Sequence, residues 1–238
     1  MRVTKPALTL VLVHGAWHGP WAWEALIREM LGMEIRAVAL PSCGHDPAAL
    51  GDMYADAAVI RETVEEIDGP VVVVAHSYGG VPTTEGLAGV SQVRRLIYLS
   101  SFQLDVGDSL VTGAGSLLGD SRPDWWDVHE VEGYVDPLRA VEIFYGDVVE
   151  ATAHESVARL GHLSWPAVNQ PLTVAAWHTT PSTFVVCERD AAIPVPAQEV
   201  MAQRSQRVLR LATSHCGCLS RPADLAAILQ DEVGAATS

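Results

Sequence analysis

Four consecutive valines, Val71 to Val74, run directly into Ala75-His76-Ser77-Tyr78-Gly79-Gly80, and this stretch narrows the accessible folds more than any other. An unbroken β-branched run, with no polar residue at alternate positions, reads as a strand buried on both faces, as inside a parallel sheet. The residues that follow, Tyr78 to Val81, lead into a segment of helical character. A serine at such a sharp strand-to-helix turn has its hydroxyl lifted above the sheet. Small residues on either side let the strand and helix backbones approach. The usual pattern of that turn is Gly-x-Ser-x-Gly, and here Ala75 replaces the first glycine, one methyl group larger and still small. Ser77 is therefore the candidate nucleophile, with a strand-capping serine as the plainer reading.

The surrounding pattern alternates strand and helix. Leu8 to Val13 is a short apolar strand, Trp21 to Leu31 repeats apolar residues at helical spacing, and Ile35 to Leu40 is a strand ended by Pro41. Asp52 to Ile67 is a helix with Ala57, Ile60, Val64 and Ile67 on one face. The helix after Ser77 runs to about Val90, and Arg95 to Ser100 is the next strand. Alternation resumes with strands at Thr183 to Cys187 and Val208 to Ala212, separated by a helix over Pro196 to Arg204 and followed by one over Ala223 to Glu232. That order predicts a mostly parallel sheet covered by helices on both faces.

Between these blocks, Leu104 to Trp177 offers no good strand and carries helical patches such as Leu138 to Val149. It also holds four of the seven tryptophans. The expected organisation is a core over residues 1–103, a mainly helical cap over 104–178, and the rest of the core over 179–238. Such a cap would cover the carboxyl ends of the strands, where open α/β sheets bind ligands.

Composition excludes several partner classes. A hydrophobic content of 49% with 18% charged residues describes a well-packed globular chain. A formal net charge of −14 disfavours nucleic acid and anionic membrane surfaces. Arg2 and Lys5 precede an apolar stretch too short for a signal-peptide core. Cys43, Cys187, Cys216 and Cys218 show no framework spacing, so reduced thiols in a cytoplasmic protein are the expectation. His215-Cys216-Gly217-Cys218 lacks the second ligand pair that zinc requires, and no nucleotide-binding glycine motif follows a strand. The expected partner is a small molecule, with no metal; the sequence leaves a homodimer open.

A serine hydroxyl needs a base to take its proton and a third group to orient that base. In a strand–turn–helix setting these follow in the order Ser, acid, His, each in a loop after a strand. Asp190 follows the strand ending at Cys187, and His215 follows the strand ending at Ala212. Asp105 and Glu188 are the rival acids, and the remaining histidines read as structural or solvated. Acyl transfer also needs donors for an oxyanion. The backbone amides of Tyr78 and of Ala16, in His14-Gly15-Ala16-Trp17-His18-Gly19, are the candidates.

At this point the chain resembles a known family. His14 to Trp23, the Ala75 to Gly80 turn, Asp190-Ala191-Ala192-Ile193-Pro194 and Leu219-Ser220-Arg221-Pro222 together resemble the α/β-hydrolases. The nearest branch is that of plant hydroxynitrile lyases and methylesterases with their bacterial esterase relatives. The resemblance spans nearly the whole chain and is weakest in the cap. It implies the α/β-hydrolase fold, a Ser77–Asp190–His215 triad, Ala16 and Tyr78 amides as oxyanion hole, cleavage of small carboxylic esters or lactones, and no cofactor. Gly15, Trp17, His18, Trp125, Trp126 and Trp165 are the expected substrate contacts. The branch's lyases carry threonine at the Gly15 position and lysine at the Cys216 position, so hydrolysis is expected here rather than cyanohydrin cleavage. Its bacterial members tend to have Ser-Pro-Phe where this chain has Cys216-Gly217-Cys218, so their substrate preferences do not carry over. Two other readings stand beside hydrolysis: acyl transfer, cyclisation or elimination by the same residues, and non-catalytic ligand binding on the same fold.

Overall fold

Val71 to Ser77 form a strand in which every residue is buried, which is possible only if both faces of the sheet are covered. The computed structural model describes residues 8–119 and 123–237, so Arg2 and Lys5 lie outside the described residues. Along the chain come β1 (Thr9–Val13), α1 (Glu24–Glu29), β2 (Glu34–Val38), β3 (Cys43–Gly44), α2 (Met53–Glu65), β4 (Val71–Ser77), α3 (Gly80–Gly86) and β5 (Val93–Ser101). Then follow α4 (Leu110–Leu118), β6 (Trp126–His129), β7 (Tyr134–Pro137), α5 (Ala140–Phe144), α6 (Glu150–Val157), β8 (His162–Ser164) and α7 (Trp165–Asn169). The chain ends with β9 (Ser182–Cys187), α8 (Val195–Ala202), β10 (Arg207–Leu211), α9 (Gly217–Ser220) and α10 (Pro222–Thr237).

Six strands form one sheet in the order β10-β9-β5-β4-β1-β2, and every pairing in it is parallel. The apolar strands β4, β5 and β9 fill its middle, and the charge-bearing β2 and β10 lie at its edges, where half-exposed charged side chains discourage further pairing. Asp52 caps α2 by accepting from the Ala55 amide at 2.8 Å, and the helix buries Ala57, Ile60 and Val64 as its spacing predicts. The helix after Ser77 stops at Gly86, short of the expected Val90, and the chain turns back through Gly89 at φ +73°.

The segment between β5 and β9 contains the expected helices and also strands that the sequence pattern does not predict. β6, β7 and β8 join β3 in a four-stranded antiparallel sheet ordered β3-β8-β7-β6. Each is three or four residues long, and β7 buries only Val135. Pairing between strands, not alternation along any one of them, holds this sheet together. The expected helix over Leu138 to Val149 contracts to α5, and a turn at Tyr145 to Val148 separates it from α6.

Candidate active site

β2 pairs with β1 on one side and β4 pairs with it on the other. The connections therefore leave β1 and β4 in opposite directions, and a crevice opens beyond their carboxyl ends. Two loops border it: Gly15-Ala16-Trp17 after β1 and the turn after β4. Ser77 ends β4 at φ +54°, in the left-handed region that a non-glycine residue occupies only when its surroundings hold it there. The Ser101 hydroxyl and the Phe102 amide, at 2.8 and 3.1 Å, donate to the Ser77 carbonyl. Behind the turn, a Cβ on Gly79 would collide with the His14 carbonyl, so the helix can start only with glycine there.

The loop after β10 brings His215 to the same crevice. Its Nδ1 bonds Asp190 Oδ2 at 2.8 Å, and both side chains are buried. The other carboxylate oxygen, Oδ1, accepts from the amides of Ala192 and Ile193 at 2.8 and 2.9 Å, while Gln198 Nε2 lies 3.3 Å from Oδ2. A carboxylate with this many donors cannot turn away from the imidazole. Because Nδ1 donates to Asp190, Nε2 of a neutral His215 is the unprotonated nitrogen. The His215 carbonyl accepts from His76 Nε2 at 3.0 Å, which fixes the loop to the residue preceding Ser77. A carboxylate from beyond β7 holds the same loop: Asp147 accepts from the Ser214 hydroxyl and from Arg189 at 3.0 Å, so it bridges the loops that carry His215 and Asp190.

Ala16, Tyr78, Ser77 and His215 all line one cavity. Among the described residues, neither the Ala16 nor the Tyr78 amide is engaged by a protein acceptor. The Tyr78 side chain points the other way and donates to Asp56 Oδ2 at 2.6 Å, and Asp56 Oδ1 accepts from the Ser42 amide at 2.8 Å. Burial raises the Asp56 carboxyl from 3.8 to about 6. This buried anchor holds the residue that follows Ser77, and no spacing in the sequence marks it. Trp17, at φ +63°, donates from Nε1 to the Val135 carbonyl at 2.7 Å and so ties the first loop to β7.

The rest of the lining is apolar. Trp17, Trp125, Trp126 and Phe144 form a cluster with ring centroids 5.6 to 6.2 Å apart, and Phe102 and Ile193 close other sides. Of the expected substrate contacts, Trp17, Trp125 and Trp126 are on the cavity wall; Gly15, His18 and Trp165 are not. His18 is buried behind the wall, where Nδ1 bonds the Ala16 carbonyl at 2.7 Å and Nε2 accepts from the Tyr145 hydroxyl at 2.8 Å. Phe102, Phe144 and Ile193 were not singled out in the sequence, because an apolar residue near a strand end looks the same whether it packs a core or a cavity.

The rival acids lie elsewhere. Asp105 pairs with His178 at 3.0 Å, and Glu188 lies 3.7 Å from Arg210 at the surface. His129, His154 and His162 face Asp127, Glu150 and Asp136. Among the described residues, no group of three or more His, Cys, Asp or Glu side chains is gathered as for a metal ion, and no helix is long and apolar enough to cross a membrane.

Comparison with known proteins extends this picture. The chain is 29% identical to the alpha/beta hydrolase nvfD of Aspergillus novofumigatus, over 98% of both chains. It is 28% identical to methylesterase 8 of Arabidopsis thaliana, over 52% of this chain and 49% of that one. The crystal structure of polyneuridine aldehyde esterase superposes with a TM-score of 0.82 at 19% identity, covering 95% of this chain and 99% of the other. Residues 10–228 match the alpha/beta hydrolase family as a whole. The protein is a hydrolase-fold enzyme relative built on a parallel sheet, and it belongs to the alpha/beta hydrolase family.

Proposed function

We propose that the protein hydrolyses small carboxylic esters through an acyl-enzyme on Ser77. The observation that carries this reading is the 2.8 Å bond between His215 Nδ1 and Asp190 Oδ2 at the wall of the cavity that Ser77 also lines. Asp190 holds the imidazole with its proton on Nδ1. Nε2 takes the Ser77 proton as Oγ attacks the ester carbonyl, and the Ala16 and Tyr78 amides receive the developing oxyanion. The imidazolium then gives its proton to the departing alcohol, and water, activated by the same nitrogen, releases the acid.

Among the described residues the wall presents no charged side chain besides the reacting groups, which supports a neutral substrate. Cys216, where a lysine would be needed to stabilise departing cyanide, is a buried thiol whose pKa burial pushes well above its ordinary value. It supplies no positive charge, which favours hydrolysis over cyanohydrin cleavage. The likeness to an Arabidopsis methylesterase also supports an ester substrate.

A second reading rests on the apolar wall: an acyl-enzyme shielded from water can pass its acyl group to another acceptor. Turnover of a panel of aryl methyl esters, short-chain esters and lactones in ¹⁸O-labelled water separates the two. Hydrolysis places one labelled oxygen in the released acid, and Ser77→Ala abolishes it. Turnover without label in the product supports transfer, and no turnover on any ester leaves ligand binding as the better reading.

A further inference from the structure

β5 pairs with β4 in unbroken register from Val72↔Arg95 to His76↔Leu99, and the next pair is Ser77↔Ser101. Ser100 is therefore an inserted residue, a bulge at the carboxyl end of the strand, and its φ is +38°. Bulges beside active sites interrupt pairing and re-aim a side chain. Here the re-aimed hydroxyl reaches the acid and the base together. Ser100 Oγ donates to Asp190 Oδ2, the same oxygen that bonds His215, and lies 3.5 Å from His215 Nδ1. The residue is fully buried.

Asp190 does not depend on Ser100 for its orientation. The Ala192 and Ile193 amides hold Oδ1, and Gln198 approaches Oδ2. What the hydroxyl adds is electrostatic: an O–H donated to a carboxylate takes up part of the charge on the accepting oxygen, and burial magnifies the effect. Among the described residues, the other groups around His215 bring no competing charge to that oxygen. His76, with its ring 4.6 Å from that of His215, and His18 are kept neutral by burial, as is the Cys216 thiol. Asp147, the remaining carboxylate near the loop, is held by Ser214 and Arg189.

We propose that Ser100 is a positioning residue that acts through Asp190: it moderates the negative charge presented to His215 and so sets the pH at which the imidazole is free to act as a base. The inference rests on the reading of Ser77, His215 and Asp190 given above. With the hydroxyl removed, Oδ2 carries more charge, the imidazolium is favoured, and His215 gives up its proton only at higher pH.

The test follows the His215 ring signal by NMR across pH in Ser77→Ala protein, alone and combined with Ser100→Ala or Ser100→Gly. Both added changes remove the hydroxyl, and only glycine also relieves the left-handed backbone. Each is expected to raise the His215 midpoint by about half a pH unit to one unit. In protein that keeps Ser77, the acid limb of kcat/KM should move by the same amount, lowering the rate on that limb about threefold or more. With Asp190→Asn already present, Ser100→Ala should no longer move the midpoint. A midpoint that stays or falls in Ser100→Ala, or a shift seen in only one of the two variants, overturns the proposal. Because the titration needs no turnover, a wild-type protein inert toward esters would refute the function while leaving the Ser100 result readable.

Discussion

A side-chain carbon on Gly15 would stand 2.9 Å from Cβ of Ser77 and 3.0 Å from Nδ1 of His76. Packed carbons keep about 3.5 Å or more between them, so the loop after β1 can lie this close to Ser77 only with glycine at that position. The approach matters because Ala16, the next residue, offers its amide to the cavity. Gly15→Ala should push this loop away from Ser77 and weaken one oxyanion donor. The expected result is a fall in kcat of about 10²-fold with a smaller change in KM. Gly15→Thr should be at least as damaging and should not confer cyanohydrin cleavage. Steady-state kinetics on one activated ester check both, and activity within about twofold of wild type for Gly15→Ala would contradict the close packing.

Asp190 and Asp105 are separated by their partners. Asp190→Asn should lower kcat by about 10³-fold or more, because an amide leaves His215 in the wrong tautomer. Asp105→Asn removes only a half-exposed contact with His178 and should stay within about twofold of wild type. Paired kinetic measurements decide this, and a damaging Asp105→Asn beside a mild Asp190→Asn would reverse the assignment.

Acid stability follows from the buried histidines. Burial lowers His14 from 6.5 to about 4 and His18 from 6.5 to about 3, and it places His76 well below 6.5. Above pH 6.5 the folded and unfolded chains both carry these rings neutral. Below it the unfolded chain takes up protons that the folded one refuses, so stability falls as pH drops toward the folded values. Asp56 opposes this: raised from 3.8 to about 6, it gives the folded chain the extra proton between those values. Three groups outweigh one, and the melting temperature should decline between pH 6.5 and 4. Calorimetry across that window checks the sign, and a flat or rising melting temperature would contradict it.

The core strands were legible because β4, β5 and β9 are nearly continuous apolar runs, and such runs have few other ways to be buried. Ser77, Asp190, His215 and the loop at Gly15 were legible for a related reason: they stand at or just after the ends of β4, β9, β10 and β1, and strand ends in a parallel sheet converge. The β6–β8 sheet was not, since strands of only three or four residues are too short to carry a period of their own. Nor was Ser100. Its role depends on one inserted residue and a left-handed φ, and neither leaves a mark in Leu99-Ser100-Ser101. Nor was Asp56, a carboxylate in the first turn of α2 that is turned inward to meet Tyr78.

The tryptophans divide into two groups. Trp125 and Trp126 are on the cavity wall, so Trp125→Ala and Trp126→Ala should change the ratio of kcat/KM between bulky and small esters by about tenfold. Trp165 lies off the wall, and Trp165→Ala should lower the melting temperature while leaving that ratio unchanged. Equal losses on every ester for all three variants would show that Trp125 and Trp126 also serve packing alone.

The central claim is that Ser77 forms a covalent acyl-enzyme with His215 as its base. The most direct measurement is intact-protein and peptide mass spectrometry after brief exposure to a fluorophosphonate, with wild type, Ser77→Ala and His215→Ala side by side. Wild type should carry one adduct per chain, on the peptide containing Ser77, with none in Ser77→Ala and a strongly slowed reaction in His215→Ala. Labelling of another residue, or ester hydrolysis that survives in Ser77→Ala, would contradict it.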